Sequence, residues 1–226
     1  MKRYTIFFLL VFITSTIAWD YFLFVQVWPG SWLVNSNITD YNFTNSYFSI
    51  HGIWPEYDNG SWPQYCPGEG QYKKFNVTNL TPIYQNLTKY WTDFKDPIDF
   101  WTHEYYKHML CAENIYHDPY DLFWKGLGYR QSINLYQILL DNNIYPNNKY
   151  KYNTNTLQNI IKNEIGFAPS INCQNNIINE IQLCMTKDLI LQDCPIDRYH
   201  DYNQYCYYNY YKNKANLTIE PATATV

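Results

Sequence analysis

The sequence predicts an α+β fold in a single domain. Three observations lead there: short β-prone apolar runs stopped by Pro or Gly, longer segments with apolar residues at helical spacing, and no regular strand–helix alternation of the kind that builds a parallel sheet. The 226 residues are enough for one sizeable core, and no internal repeat or linker divides them.

"YFLFVQVWPG" (21–30) is a short apolar run ended by Pro-Gly and reads as a strand. "YFSIHGIWP" (47–55) is a second, with Phe48 and Ile50 on one face and Ser49 and His51 on the other. Residues 56–70 are dense in Pro, Gly and Asn and form a loop. A helix follows Pro82 within 76–94. Residues 98–111 read as a helix, with Pro97 just before it and Asp99 as its expected N-cap. Ile133, Tyr136, Ile138, Leu139 and Leu140 sit near helical spacing in 132–143, where Ser132 or Asn134 can cap. Residues 155–166 form a short helix ended by Gly166. In "IINEIQLCMT" (177–186) Ile177, Ile181, Leu183 and Met185 alternate with Glu180, Gln182 and Cys184, the period of a half-buried strand.

The chain opens with Lys2 and Arg3, an apolar run too short to span a bilayer, and small residues at Thr16 and Ala18. That pattern predicts a signal peptide over 1–18, ahead of a single domain over 19–212 and a loose tail over 213–226. Six cysteines behind a leader suggest three disulfides in an oxidising compartment, and their spacing leaves the pairing open. No C-x-x-C pair favours zinc. Seven Asn-x-Ser/Thr sequons, at Asn37, Asn42, Asn59, Asn76, Asn79, Asn86 and Asn216, agree with a secreted glycoprotein or one sent to a lysosome or vacuole. The formal charge of −4 becomes −6 without Lys2 and Arg3, which argues against broad nucleic-acid binding through a basic surface. A local phosphate site is compatible with it.

"FWTHEYYKHMLC" (100–111) carries the densest chemistry. A zinc protease needs histidines four apart; His103 and His108 are five apart, ~140° around a helix, a poor pair for one ion. On a helical wheel His103, Lys107, Glu104 and His108 share one arc with Phe100 and Cys111. That arc is either a solvated face with i,i+4 pairs or the wall of a cleft. No serine elbow is present, and pairing all six cysteines leaves no thiol nucleophile. Phosphoryl chemistry with the substrate's own hydroxyl fits better: one general base, one general acid and a cation at the phosphoryl oxygens.

"FSIHGIWPEY" (48–57) supplies the second histidine, and here the chain resembles the ribonuclease T(2) family of secreted acid endoribonucleases. The family motifs read like IHGLWP and FWEHEWxKHGTC, against "IHGIWP" and "FWTHEYYKHMLC" here. "FVQVWPGSW", "NGSWPQYC", "FAPSINC", "EIQLC" and "DCP" extend the likeness over about residues 20–206. The resemblance implies a central antiparallel sheet with flanking helices and cleavage of single-stranded RNA without metal or other cofactor. It implies His51 as general acid, His108 as general base, Glu104 and Lys107 as stabilisers of the phosphorane, and His103 as a phosphate ligand. Trp54 is expected to stack on a base, with a core tryptophan as the alternative. Glu56 and Trp62 match positions at the first base, and Phe100 and Gln26 positions near the second. The implied disulfides are Cys66–Cys111, Cys173–Cys206 and Cys184–Cys194. His117 and His200 match no motif and read as structural or solvated. Met109-Leu110 departs from the family's Gly-Thr, and Trp32-Leu33 stands where relatives carry a cysteine. An inactive secreted glycoprotein of the same fold, acting in recognition or toxicity, is the competing function.

Overall fold

The computed structural model describes residues 19–38, 46–195 and 204–208. The expected leader and tail, Asn42, Asn216 and His200 lie outside them. The described elements form a seven-stranded sheet with helices packed on it, the α+β class expected. The path of the sheet is β2 (Ser49–Glu56), β1 (Tyr21–Val27), β5 (Ile177–Met185), β7 (Tyr205–Tyr207), β3 (Lys151–Asn153), and β4 (Ser170–Gln174) and β6 (Leu191–Gln192) also pair with β5. Its pairings are antiparallel except one, a parallel contact of β5 with β7 at Ile177–Tyr207. The sheet is therefore mixed, not purely antiparallel.

β1 is a continuous apolar run because both its faces are covered. Phe22 and Phe24 enter the main core; Tyr21, Leu23 and Val25 enter a second cluster with the Cys184–Cys194 disulfide. The strand stops at Val27, ahead of the Pro-Gly stop, and Pro29 begins a helix, α1 (Pro29–Asn35). Proline's fixed φ suits the first helical position as well as it suits a turn, which is why "WPG" reads as a stop alone. β2 carries a bulge. Val25 pairs with Gly52 and Gln26 with Ile50, so His51 is left over. The extra residue breaks the alternation and presents His51 and Gly52 on one face.

The helix after Pro82 is α2 (Tyr84–Tyr90). The next, α3 (Pro97–Lys107), differs from expectation at both ends. Its cap is Asp96, whose carboxylate accepts from the Ile98 and Asp99 amides at 3.0 and 3.1 Å. Asp99 is not the cap; the cap precedes a proline at the first position. At the other end His108 leaves the helix (φ −121°, ψ −58°) and Met109–Ala112 forms a 3-10 turn. The wheel angles assigned to His108 and Cys111 therefore do not apply. A further helix, α4 (Asp121–Ser132), contains Gly126 and Gly128 and has no apolar stripe, so its sequence hides it. It forms by packing: Gly126 lets the Trp91 ring come so close that an added Cβ would lie 2.6 Å from it. Ser132 ends α4, and Asn134 caps α5 (Leu135–Asp141). The last helix, α6 (Thr154–Ile165), is capped by Asn153 and stops at Gly166, whose φ of +86° is left-handed.

α2 and α4 pack on β2, and α1 packs on β5. Three disulfides join Cys66–Cys111, Cys173–Cys206 and Cys184–Cys194. The first staples the end of α3 to the loop after β2, where the Tyr65 amide also donates to the Lys107 carbonyl at 3.1 Å. Met109 is fully buried in the main core, so it packs away from the surface. The cap assignment predicts that Asp96→Ala lowers unfolding free energy by about 1 kcal/mol and Asp99→Ala by less than half of that, as read from urea unfolding.

Candidate active site

The site lies where the bulged edge of β2 meets the end of α3, with β5 contributing from across the sheet. His51 occupies the centre. Its side chain is 18% exposed, and its Nδ1 lies 2.8 Å from Glu180 Oε1 on β5. Its Nε2 lies 3.8 Å from Glu104 Oε1 on α3, an ionic rather than a hydrogen-bonding distance. Three aromatic rings surround it: Trp54 at 4.8 Å, Trp32 at 5.1 Å and Phe100 at 5.6 Å between centroids. The His51 carbonyl accepts from Trp91 Nε1 at 2.8 Å, which ties the bulge to the ring that α4 packs against.

Glu104 is almost wholly buried, and Trp54 Nε1 donates to its Oε2 at 2.7 Å. The Trp54 ring stacks on His108 at 4.7 Å and 23°. That face of Trp54 is thus occupied by a histidine and not open to a base. His108 is 4% exposed and its Nδ1 has no hydrogen-bond partner among the described residues. Lys107 is half-buried and His103 exposed, so these two are nearest to solvent.

These environments drive the titrations apart. Burial, reinforced by the charges of Lys107, His51 and His103, pushes His108 down to about 2, so it is neutral across the ordinary pH range. Burial also opposes a charge on His51, but its hydrogen bond to Glu180 and the charges of Glu104 and Glu180 outweigh it and Lys107, and the net shift is upward. Burial raises the Glu104 carboxyl to about 6 against the pull of His51, Trp54 and Lys107. His103 is lowered, first by burial and then by Lys107 and His51. The two histidines therefore stand in opposed environments, His51 between two carboxyl groups and His108 buried against Trp54.

Of the residues singled out in the sequence, His51, Trp54, Phe100, Glu104 and His108 come together. Glu56 is buried at the end of β2 on the same face as Trp54, and Trp62 is 47% exposed on the loop beyond. Gln26 stands opposite Ile50 and Ile181, both in the main core, on the face of β1 that Phe22 and Phe24 share. His117 lies on an open groove beside the Cys66–Cys111 disulfide, away from these groups. Two neighbours were not singled out. Trp32 sits on the helix that "WPG" concealed. Glu180 carried one visible signal, a carboxylate in the middle of an apolar strand with Gln182 two residues on.

Gly52 is the tightest point. A Cβ there would lie 2.1 Å from Trp54 Nε1 and 2.2 Å from Glu104 Oε2. Gly52→Ala is expected to break that hydrogen bond and to lower stability by about 1–3 kcal/mol, measured by denaturant unfolding together with tryptophan emission. His108 gives a pH-dependent counterpart. Its depressed pKa contributes stability that is fully present above ~6.5 and lost as pH falls, because the unfolded chain takes a proton that the folded histidine refuses. Glu104, held up to about 6, acts in the opposite direction over the same range. Wild type should therefore lose up to about 2 kcal/mol more than His108→Gln between pH 7 and 5, by urea unfolding at both pH values.

Comparison with known proteins agrees with this arrangement. Residues 19–194 match the model of the Ribonuclease T2 family. The chain is 34% identical over 190 residues to Ribonuclease 3 of Arabidopsis thaliana, covering 78% of this chain and 83% of that protein. It is 33% identical over 179 residues to Ribonuclease DdI of Dictyostelium discoideum, covering 78% of each. Among solved structures, RNase NT in complex with 5′-AMP superposes with a TM-score of 0.69 at 26% identity, over 85% of this chain and 98% of that one. A helix-bounded mixed sheet that seats "IHGIWP" against "FWTHEYYKHMLC", matched over most of its length by these proteins, makes this chain a member of the ribonuclease T2 family.

Proposed function

We propose that the chain is an endoribonuclease that cleaves single-stranded RNA through a 2′,3′-cyclic phosphate, with two histidines as acid and base and no metal. The observation that carries this reading is the opposed environment of the two histidines: His108 buried, neutral and stacked on Trp54, and His51 held between two carboxylates. Neutral His108 accepts the proton of the ribose 2′-OH as its oxygen attacks phosphorus. Charged His51 gives a proton to the departing 5′-oxygen. The bond from phosphorus to the 5′-oxygen breaks as the bond to the 2′-oxygen forms, and the product is the cyclic phosphate. In the slower second step the roles reverse: His51 takes a proton from water and His108 returns one to the 2′-oxygen, leaving a 3′-phosphate.

Lys107 and Glu104 act on the phosphoryl oxygens. Lysine supplies positive charge, and a carboxyl with a pKa near 6 is largely protonated in mild acid, where it donates a hydrogen bond instead of repelling the phosphorane. His103, exposed at the rim, meets the phosphate first. Trp62 offers an exposed ring to a base. Passage through a secretory route fits the three disulfides and the sequons; Asn37, Asn59, Asn76, Asn79 and Asn86 are all exposed.

The test is cleavage of single-stranded RNA from pH 4 to 8 in EDTA, with end-group analysis. Wild type should yield cyclic phosphates, with kcat/KM holding in mild acid and falling on the alkaline side as His51 loses its proton. His51→Ala and His108→Ala should each lose at least about 10²-fold in kcat. Loss of wild-type cleavage in EDTA would revive a metal mechanism, and absence of cleavage under all conditions would favour a binding protein.

A further inference from the structure

Glu180 is a carboxylate in the middle of the longest strand, 6% exposed, with no lysine or arginine paired to it among the described residues. A buried carboxylate is costly unless its oxygens are satisfied and its charge is met. All of its recorded partners point the same way. Gln182 Nε2 donates to its Oε2 at 3.1 Å, and the Asn172 side chain on β4, opposite it in register, also bonds to it. These two amides hold the carboxylate in one orientation, and that orientation aims Oε1 at His51 Nδ1, 2.8 Å away.

We infer that Glu180 is the positioning residue for His51: from β5 it fixes the imidazole with its proton on Nδ1 and its Nε2 turned to the cleft. The assignment rests on the acid role given to His51 above. Glu180 touches no substrate. It sets which nitrogen is free to work. With Nδ1–H bound to Glu180, the proton passed to the 5′-oxygen is the one on Nε2. After the transfer, Nε2 is bare and ready to accept from water in the second step, and Nδ1–H stays where it was.

Other charged groups face the same ring and do different work. From α3, Glu104 stands 3.8 Å from Nε2, too far to fix a tautomer. Its carboxyl is also partly neutral in the acid range. Lys107, His103 and, just beyond α3, His108 bear cationic or potentially cationic groups that oppose a charge on His51 or are opposed by it. Trp32 from α1 and Trp54 from β2 contact the ring without titrating. Glu180 is held below the ordinary carboxylate range: burial raises it, but the hydrogen bond and charge of His51 and the bonds from Gln182 and Asn172 more than offset that. Its charge therefore persists at the pH where Glu104 has lost part of its own.

The test is the pH profile of RNA cleavage by Glu180→Gln, Glu180→Asp and His51→Ala. Glu180→Gln keeps the shape and removes the charge. Its alkaline limb in kcat/KM should move down by about one pH unit or more, giving a loss of about ten-fold or more at pH 7 and under about three-fold near pH 4.5. Glu180→Asp should restore part of the shift. A uniform loss at every pH, or no change, would overturn the inference and leave a merely structural carboxylate. Should Glu180→Gln fail to fold, proton NMR of wild-type His51 decides. A Nδ1-bound proton in a hydrogen bond and a titration above that of free histidine support the role, and a titration at or below it overturns the role. His51→Ala cleaving as well as wild type would instead sink the acid assignment on which the inference rests, whatever the Glu180 variants do.

Discussion

The hydrogen bond from Trp54 Nε1 to the buried carboxyl of Glu104 joins the two halves of the site. It spans from the sheet edge to the last full turn of α3, so the position of β2 dictates where the end of α3 stands. Glu104 is buried, and a buried carboxyl without a donor would be costly, so the helix cannot slide along the strand without losing this contact. Gly52 is the clearance that permits it: a methyl group at that position would fall on both partners at once. The same tryptophan covers His108 with its ring. One side chain thereby binds the carboxyl at its edge and desolvates the second histidine with its face.

The bulge at His51 is the complementary device. In a regular strand His51 and Gly52 would lie on opposite faces, and the ring could not share a face with Trp54 while Ile50 and Ile53 both fill the core. The extra residue allows both. Trp91 holds the bulge through the His51 carbonyl, and α4 packs its glycine on Trp91. α4 thus supports the site's central histidine through one ring. The Cys66–Cys111 disulfide does the same for the end of α3, where His108 departs from helical geometry.

Much of this was legible in the sequence, and the reasons for the remainder are specific. The strands at 21–27 and 177–185 follow from an apolar run and a period of two, the helices at 135–141 and 154–165 from apolar spacing or end residues, and the helix at 84–90 from the proline before it. α1 and α4 were hidden, the first because Pro-Gly reads as a stop, the second because two glycines and no apolar stripe lower its propensity and only packing on Trp91 recovers it. The cap of α3 was misplaced by three residues, since Asp96 and Asp99 flank Pro97 and both are plausible until the amides are seen.

The sequence alone carried the two motifs, with His51 in one and His103 to His108 in the other, and through them the likeness to the ribonuclease T2 family. The spacing of His103 and His108 makes a poor zinc pair, and the two motifs carry a resemblance covering most of the chain. Only the tertiary structure sets the two histidines' environments apart, because His51 is pulled upward by a carboxylate that lies across the sheet and not by neighbours in the chain. Glu180 is 129 residues from His51 and reaches it through β5. His51 changes its expected surroundings because one bulge shifts the register between two strands, and Met109 is drawn into the core because α3 ends two residues before it. Local pattern fixes the faces of an isolated helix or strand. A register shift or a helix end set by packing reassigns those faces, and neither is written in the residues it moves.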